Sequence, residues 1–203
     1  VRVVSEGESN QVEYLRTDIG ITNVAVYLGA LVTFRDKNII SEDEARLFIK
    51  SVLQGLNTLP RYKSMFYNWY TEDGKPFSQD VPIIDNIFTR SKFLSAVDEL
   101  MLLVVLDGLR GAYAGDPEML RLINSILTPM EDNFCEVFVD KESSRVQGGV
   151  FIINGKPFPT AWRYDRMGSE ARACIALLAA KGILPVESLS LLSRDIVKFR
   201  IPN

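Results

Sequence analysis

The sequence predicts an all-α fold, an α/α toroid of helical hairpins with an inner and an outer ring, complete or incomplete, and a small β-hairpin insertion. One observation is that three almost wholly apolar segments each open with a polar or acidic residue: residues 22–34, 97–109 and 170–180. A second is that an amphipathic helix follows each of them, beginning near Ser41, Asp116 and Val186. A helix that is apolar on all sides must be surrounded by protein, whereas a striped helix faces water on one side. The alternation therefore predicts inner helices whose N-terminal ends meet at one shared mouth.

The first predicted hairpin has clear start and stop signals. Thr22 is a suitable N-cap for the first helix. Ser41 and Glu44 form a capping box for the second. The apolar stripe of that second helix has helical spacing: Ala45, Phe48, Ile49, Val52, Leu53 and Leu56. Pro60 ends it, and a long connection rich in aromatic residues runs to about Ser95, a kind of loop that is often functional.

The other two hairpins are marked in the same way. Asp116 and Pro117 supply an N-cap and a proline at the first position of the fourth helix. The fifth helix is predicted to stop at Gly182, and the sixth to cover about residues 186–197. Between these hairpins, the alternating stretch 134–153 predicts a short β-hairpin, with Gly148-Gly149 as its turn.

Composition excludes several classes of function. With 203 residues, 47% hydrophobic residues and a net charge of −3, the chain shows no basic block that would indicate a nucleic-acid partner. Its longest apolar run, residues 100–106, is too short to span a bilayer. The absence of histidine excludes Ser-His-Asp and Cys-His triads and any His-ligated metal. Acid–base chemistry would therefore come from carboxylates, tyrosine or lysine.

Several motifs resemble one family of bacterial enzymes. Residues 22–28 read Thr-Asn-Val-Ala-Val-Tyr-Leu, and residues 66–70 read Phe-Tyr-Asn-Trp-Tyr, followed by a Thr-x-x-Gly turn. Both patterns are similar to those of endo-β-1,2-glucanases and the related glucoamylase-like glycoside hydrolases, which include domains of cyclic β-1,2-glucan synthases. In the first pattern, Ala25 replaces the family's glycine. The Phe-Tyr-Asn-Trp-Tyr segment is the strongest single match.

Other matching segments follow in the family's order. Ser95-Ala96-Val97-Asp98 keeps half of a Ser-x-Val-Asp-Asn-Gly-Trp motif, and its second half is replaced. Residues 129–134, 147–149 and 168–172 have further counterparts, so the resemblance covers about residues 15–195. It implies an (α/α)6 toroid that acts on glucans. It also implies that residues 1–203 form one toroid domain that is part of a larger glycosidase-like domain, the remainder of which would be a partner.

Glycoside hydrolysis needs two carboxyl groups that flank the scissile bond, about 5–5.5 Å apart for retention or about 6.5–9.5 Å for inversion. Asp98 and Glu170 each open a predicted inner helix, so both are expected at the mouth, with Glu99 as an alternative to Asp98. Carboxylates at such positions also stabilise helix N-termini without any catalytic role. The sequence leaves open which group is the acid and which the base. The mechanism needs no cofactor, and no metal site is predicted.

Aromatic and polar side chains near these carboxylates are the predicted sugar contacts. Flat rings with polar edges suit stacking against pyranoses. The same rings could instead pack the loop onto the helices. The predicted substrate-binding residues are Tyr67, Trp69, Tyr70, Asn23, Asp18, Trp162, Arg166 and Arg172. The two arginines flank Glu170 and would lower the pKa of its carboxyl group.

Three functions remain open on this sequence. The preferred one is a glycoside hydrolase that acts on a β-glucan, with β-1,2 linkages favoured and an oligo- or polysaccharide as ligand. The second is a carbohydrate-binding or scaffold protein that keeps the toroid without catalysis. The third is a helical interaction domain whose aromatic loop docks a protein. A periplasmic or extracellular location is expected, with the cytoplasm as the alternative, because a mature secreted chain would have lost its signal peptide.

Overall fold

The computed structural model describes residues 18–84, 87–163 and 171–192. Five α-helices lie in these ranges: α1 (Ile21–Asp36), α2 (Glu42–Thr58), α3 (Ala96–Ala112), α4 (Pro117–Phe138) and α5 (Ala171–Ala180). A 3₁₀ helix, Val186–Leu189, follows α5. Eight short strands complete the described elements: β1 (Ile19–Gly20), β2 (Arg61–Tyr62), β3 (Met65–Phe66), β4 (Trp69–Tyr70), β5 (Gln79–Ile84), β6 (Ile87–Ser95), β7 (Gly149–Ile153) and β8 (Lys156–Pro159).

The helix ends follow local sequence signals. The Ser41 hydroxyl accepts a hydrogen bond from the Glu44 backbone N–H, and the Glu44 carboxylate accepts one from the Ser41 N–H, which completes the predicted capping box. The Asp116 carboxylate caps α4 by accepting the N–H groups of Glu118 and Met119. After α5, Gly182 adopts a φ of +71°, a left-handed conformation that ends helices readily only at glycine.

The helices pack as hairpins. α1 contacts both α2 and α3, α3 also contacts α4 and α5, and α2 contacts α4. The apolar helices α1, α3 and α5 therefore form the inner series, and α2 and α4 form the outer one. The predicted alternation of inner and outer helices in α/α hairpins, with a β insertion, is confirmed. None of the helices in the described ranges has the length and apolarity needed to cross a bilayer.

Helix α3 supplies the centre of the core. Its side chains Leu100, Leu102, Leu103 and Leu106 are fully buried. Burying one leucine side chain contributes roughly 1.5–3 kcal/mol, so this helix is a main source of stability. It contacts α1, α4 and α5.

The largest sheet is antiparallel, with strand order β5-β6-β7-β8. Its two faces differ because side chains alternate along a strand. Leu94, Val150 and Ile152 are buried on the face that meets the helices. On the opposite face, Phe93 pairs with Phe151, which in turn pairs with Phe158. Cross-strand partners share a face, so these three rings form one row.

The structure corrects three local predictions. Helix α4 continues to Phe138, and the hairpin that follows is β7–β8, whose turn is Asn154-Gly155 rather than Gly148-Gly149. The aromatic connection is largely strands, because β5 and β6 form a second hairpin within it.

Two predicted helical features also differ. Phe48, which helical spacing places in the apolar stripe of α2, is 43% exposed. The sixth predicted helix is a 3₁₀ helix at Val186–Leu189, and its predicted C-terminal part lies outside the described residues.

Candidate functional site

A two-residue ladder joins the start of α1 to the aromatic segment 66–70. Ile19 pairs with Tyr70, and Gly20 pairs with Trp69, in the antiparallel strands β1 and β4. The Ile21 backbone N–H donates to the Asn68 carbonyl at 3.2 Å, and the Asn68 N–H donates to the Phe93 carbonyl at 2.7 Å. These backbone bonds hold Trp69 beside the N-terminal end of the first inner helix.

The N-terminal ends of α1 and α3 are joined directly. The Thr22 hydroxyl donates a hydrogen bond to the Asp98 carboxylate, across 76 residues of sequence. Thr22 is therefore inside the first turn of α1 and is not its N-cap, contrary to the prediction. The N-cap is Gly20, which makes no side-chain hydrogen bond to the helix. This contact agrees with the expectation that inner helices present their starts to one place.

A cleft of about 370 Å³ opens at this junction. It is lined by Asp18, Gly20, Thr22, Asn23, Asn68, Trp69 and Asp98. Two carboxylates, two amides and one indole thus share a single concave surface. The arrangement offers hydrogen-bonding groups for hydroxyls and one flat apolar face.

Glu99, the alternative to Asp98, faces away from the cleft. Its side chain is 1% exposed, and its Oε2 atom has no hydrogen-bond partner within the described part of the chain. Burial raises the pKa of Glu99 well above its usual range, although a hydrogen bond from the Phe66 backbone N–H lowers this pKa in part. The neighbouring charge of Asp98 also raises this pKa, and the charge of Arg61 lowers it. Burial therefore favours the protonated form of the Glu99 carboxyl group.

Two of the predicted stacking residues lie in the core. Tyr70 is fully buried; its hydroxyl donates to the Pro60 carbonyl at 2.7 Å and accepts the Tyr67 N–H at 2.9 Å. Tyr67 is 7% exposed and packs edge-on against Tyr70, with the Lys92 ammonium 5.4 Å from its ring centroid. Burial raises the pKa of both phenols. These rings pack the segment onto the helices and are not accessible for stacking.

Trp162 is exposed and lies on the sheet rather than in the cleft. Its ring centroid is 6.3 Å from that of Phe93, which is itself 6.3 Å from that of Trp69. Arg172, in the first turn of α5, is exposed and does not line the cleft. Glu170 and Arg166 lie outside the described residues.

The structure adds residues that the sequence analysis did not single out. Asn68 lines the cleft although its side chain is only 8% exposed. Its place between two aromatic residues of the Phe-Tyr-Asn-Trp-Tyr segment was the available signal. Phe93 and Phe151 had none, because a phenylalanine in an alternating strand is equally typical of a core. The described residues contain no group of three or more carboxylate or thiol side chains arranged to hold a metal ion.

Comparison with known proteins gives partial similarities. No family model and no curated protein matches the chain. A solved structure provisionally named as a glucoamylase from Bacteroides fragilis is 18% identical over 60% of this chain, with a TM-score of 0.47. Another with the same provisional name, from Bacteroides caccae, is 13% identical over 57% of this chain, with a TM-score of 0.44. This chain spans only 28% and 26% of the lengths of those two proteins.

Proposed function

We propose that the protein is carbohydrate-active, and that it hydrolyses a β-glucan with paired carboxylates. The observation that carries the proposal is the meeting of Asp98 and Trp69 in one cleft, beside the amides of Asn23 and Asn68. Amides and carboxylates bind sugar hydroxyls, and an indole offers the flat face on which a pyranose stacks. The preference for β-1,2 linkages comes from the resemblance of the Phe-Tyr-Asn-Trp-Tyr segment alone.

The proposed chemistry assigns Asp98 as one of the two carboxyl groups. One group protonates the leaving oxygen, and the other activates water or attacks the anomeric carbon. The hydrogen bond from Thr22 fixes the orientation of Asp98 in the cleft. Glu170 is the proposed second carboxyl group, and Asp18 is the candidate for that role within the described cleft. Acid and base are not assigned between them.

The test is hydrolysis of a panel of α- and β-glucans that includes β-1,2-glucan. Asp98→Asn keeps the shape of the side chain and its ability to accept the Thr22 hydrogen bond, but removes the acid. We expect it to lower the rate of oligosaccharide release at least about 100-fold, since positioned acid–base groups contribute that much or more. Glu170→Gln should have a similar effect.

A matched control for these variants is Asp43→Asn, which changes an exposed carboxylate in the first turn of α2. Its rate should equal that of the wild type. Far-ultraviolet circular dichroism would verify that each variant is folded. Wild-type activity that persists in Asp98→Asn would contradict the assignment of this residue.

A second candidate function is carbohydrate binding without catalysis. It is favoured by the replacement of Asn-Gly-Trp after Asp98 with Glu99-Leu100-Met101, which puts a buried acid at the first of these positions. Calorimetric titration separates the two functions. A binder takes up oligosaccharides and releases no product, whereas the hydrolase does both.

We also propose that the chain is part of a larger toroid domain. The support is that the inner helix α1 exposes apolar side chains on the side away from α2 and α3, among them Val26, Tyr27 and Phe34, which are 43–58% exposed. In a closed ring another hairpin would cover such a face. A periplasmic or extracellular location remains part of this proposal.

A further inference from the structure

An aromatic band crosses the outer face of the sheet and reaches the cleft. It consists of Trp69, Phe93, Phe151, Phe158 and Trp162. Phe93 and Phe151 are half-buried, whereas Trp162 and Phe158 are 49% and 48% exposed. Trp69 belongs to both features, because it also lines the cleft beside Asp98. The band and the cleft therefore form one continuous surface.

Four rings of the band, those of Trp69, Phe93, Phe151 and Trp162, are linked by ring contacts. The Phe93 centroid lies 4.8 Å from that of Phe151 and 6.3 Å from those of Trp69 and Trp162. The two indole planes are tilted by 31° and 38° relative to the Phe93 ring. Trp162 also meets Phe151 edge-on at 6.3 Å. Ring contacts at these distances restrict each other's rotation, so the band presents preordered faces.

Two glycines make room for these rings. A Cβ atom at Gly148 would lie 2.0 Å from Nε1 of Trp162, so the indole rests directly on the backbone there. A Cβ atom at Gly149 would lie 2.4 Å from the Phe93 ring and 2.4 Å from the Leu94 carbonyl oxygen. The Gly148-Gly149 pair, predicted as a turn, is instead the surface against which two members of the band pack.

Buried hydrogen bonds fix the backbone of Trp162. The Gly148 N–H donates to the Trp162 carbonyl at 2.9 Å, and the Thr160 hydroxyl donates to the same carbonyl at 2.9 Å. The hydroxyl of Thr160, which is 6% exposed, also accepts the Gly149 N–H at 3.1 Å. An exposed indole that is held this firmly loses little conformational entropy when a ligand covers it.

We propose that the aromatic band is a binding surface for a glycan chain that runs out of the cleft past Trp69 towards Trp162. The ligand is then an oligosaccharide or polysaccharide of several units rather than a mono- or disaccharide. This inference rests on the proposed function. A sugar chain is favoured over a protein occupant because the band continues a cleft lined by amides and carboxylates. Each pyranose would stack on one ring, and Phe93 separates Trp69 from Trp162 along this path.

The test is calorimetric titration of the Asp98→Asn chain, which does not consume its ligand, with β-1,2-linked glucose disaccharide and hexasaccharide. The hexasaccharide should bind more tightly. Adding Trp162→Ala should weaken hexasaccharide binding roughly tenfold and leave disaccharide binding unchanged, because only the longer chain would reach from the cleft past Phe93 to Trp162. Phe48→Ala, which removes an exposed ring of α2, should change neither affinity.

A second variant addresses the same surface without removing a ring. Gly148→Ala forces the Trp162 indole off its place and should reproduce the loss for the hexasaccharide. Gly111→Ala, at an exposed glycine with open space around it, is the matched control and should bind as the parent does.

The outcomes separate this inference from the proposed function. If disaccharide and hexasaccharide bind equally, or if Trp162→Ala weakens both to the same extent, the band does not bind a chain and the inference is wrong. If no saccharide of any linkage binds, the proposed function fails and the inference falls with it. If sedimentation shows a wild-type oligomer that Phe158→Lys dissociates, the band is a contact between copies of the chain, which would also overturn the inference.

Discussion

Glu99 shows how far the role of one residue depends on a rotation of about 100° along a helix. It adjoins Asp98 in sequence, yet Asp98 lines the cleft and Glu99 is buried beside Phe66 and Arg61. Sequence alone offered both as carboxylates at the start of an inner helix. Which of two adjacent residues faces the cleft depends on the exact start of α3 and on its rotation, and neither is encoded in a local signal.

Replacing Glu99 by Gln should stabilise the protein in a way that depends on pH. Because burial raises the pKa of Glu99, the folded state keeps its proton after the unfolded state has lost its own. Wild-type stability then falls as pH rises, from about pH 4.3 until the raised pKa is reached, by about 1.4 kcal/mol per pH unit. The neutral amide does not titrate, so the gain in Glu99→Gln is absent at pH 4 and grows towards pH 7.

Urea unfolding at several pH values measures this difference. The exposed Glu72→Gln is the control and should follow the wild type at each pH. A stability difference for Glu99→Gln that stays constant between pH 4 and pH 7 would show that Glu99 ionises normally in the folded state.

At the scale of elements, sequence signals succeeded where they were local. The capping box of α2 and the Asp116 cap of α4 lie where the side chains predicted them. The β7–β8 turn, Asn154-Gly155, is also a strong local signal, because both residues adopt the positive φ that a tight hairpin needs. Gly148-Gly149 resembles a turn equally well, so the sequence does not distinguish the two pairs. Only tertiary packing distinguishes a glycine that turns the chain from one that makes room for a ring.

Helix α3 should tolerate truncation of the side chain at Val104 but not at Leu103. Leu103 is fully buried and Val104 is 36% exposed. Leu103→Ala should cost about 2–5 kcal/mol through lost burial and the cavity that it leaves. Val104→Ala should cost less than about 1 kcal/mol, since its side chain is already in partial contact with water. The free energies of unfolding in urea give both values, and equal losses would contradict the difference in burial between these two positions.

At the scale of the whole molecule, a charge network joins three helices at the end opposite the cleft. The Lys181 ammonium, just after α5, lies 2.7 Å from carboxylate oxygens of both Asp107 on α3 and Glu131 on α4. Arg110 contacts the same two carboxylates. The side chains of Lys181 and Glu131 are only 16% and 17% exposed, so bulk salt screens the network incompletely. None of these partners was recognisable in the sequence, because 50 or more residues separate Lys181 from each carboxylate.

Lys181→Ala should therefore destabilise the whole fold rather than α5 alone. The carboxylates of Asp107 and Glu131 would then share the Arg110 guanidinium. We expect the free energy of unfolding to fall by roughly 1–2 kcal/mol, between the values for exposed and for buried ion pairs. Thermal unfolding followed at low and at 1 M salt measures the loss, which should shrink but not vanish at high salt. Lys156→Ala, at an exposed position of the edge strand β8, is the control. An unchanged melting temperature for Lys181→Ala would mean that the network is only a surface feature.

Because of the positions of Trp69 and Trp162, the intrinsic tryptophan fluorescence of the protein reports on the proposed ligand surface. They are the only two tryptophans among its 203 residues, and both centroids lie 6.3 Å from that of Phe93. Selective excitation of indole therefore yields emission only from the proposed ligand surface, with no background from the helical core. Removing either tryptophan leaves a single fluorophore, one in the cleft or one on the sheet. Ligand occupancy beside each of the two indoles can thus be followed separately by emission and by quenching, without attaching a label.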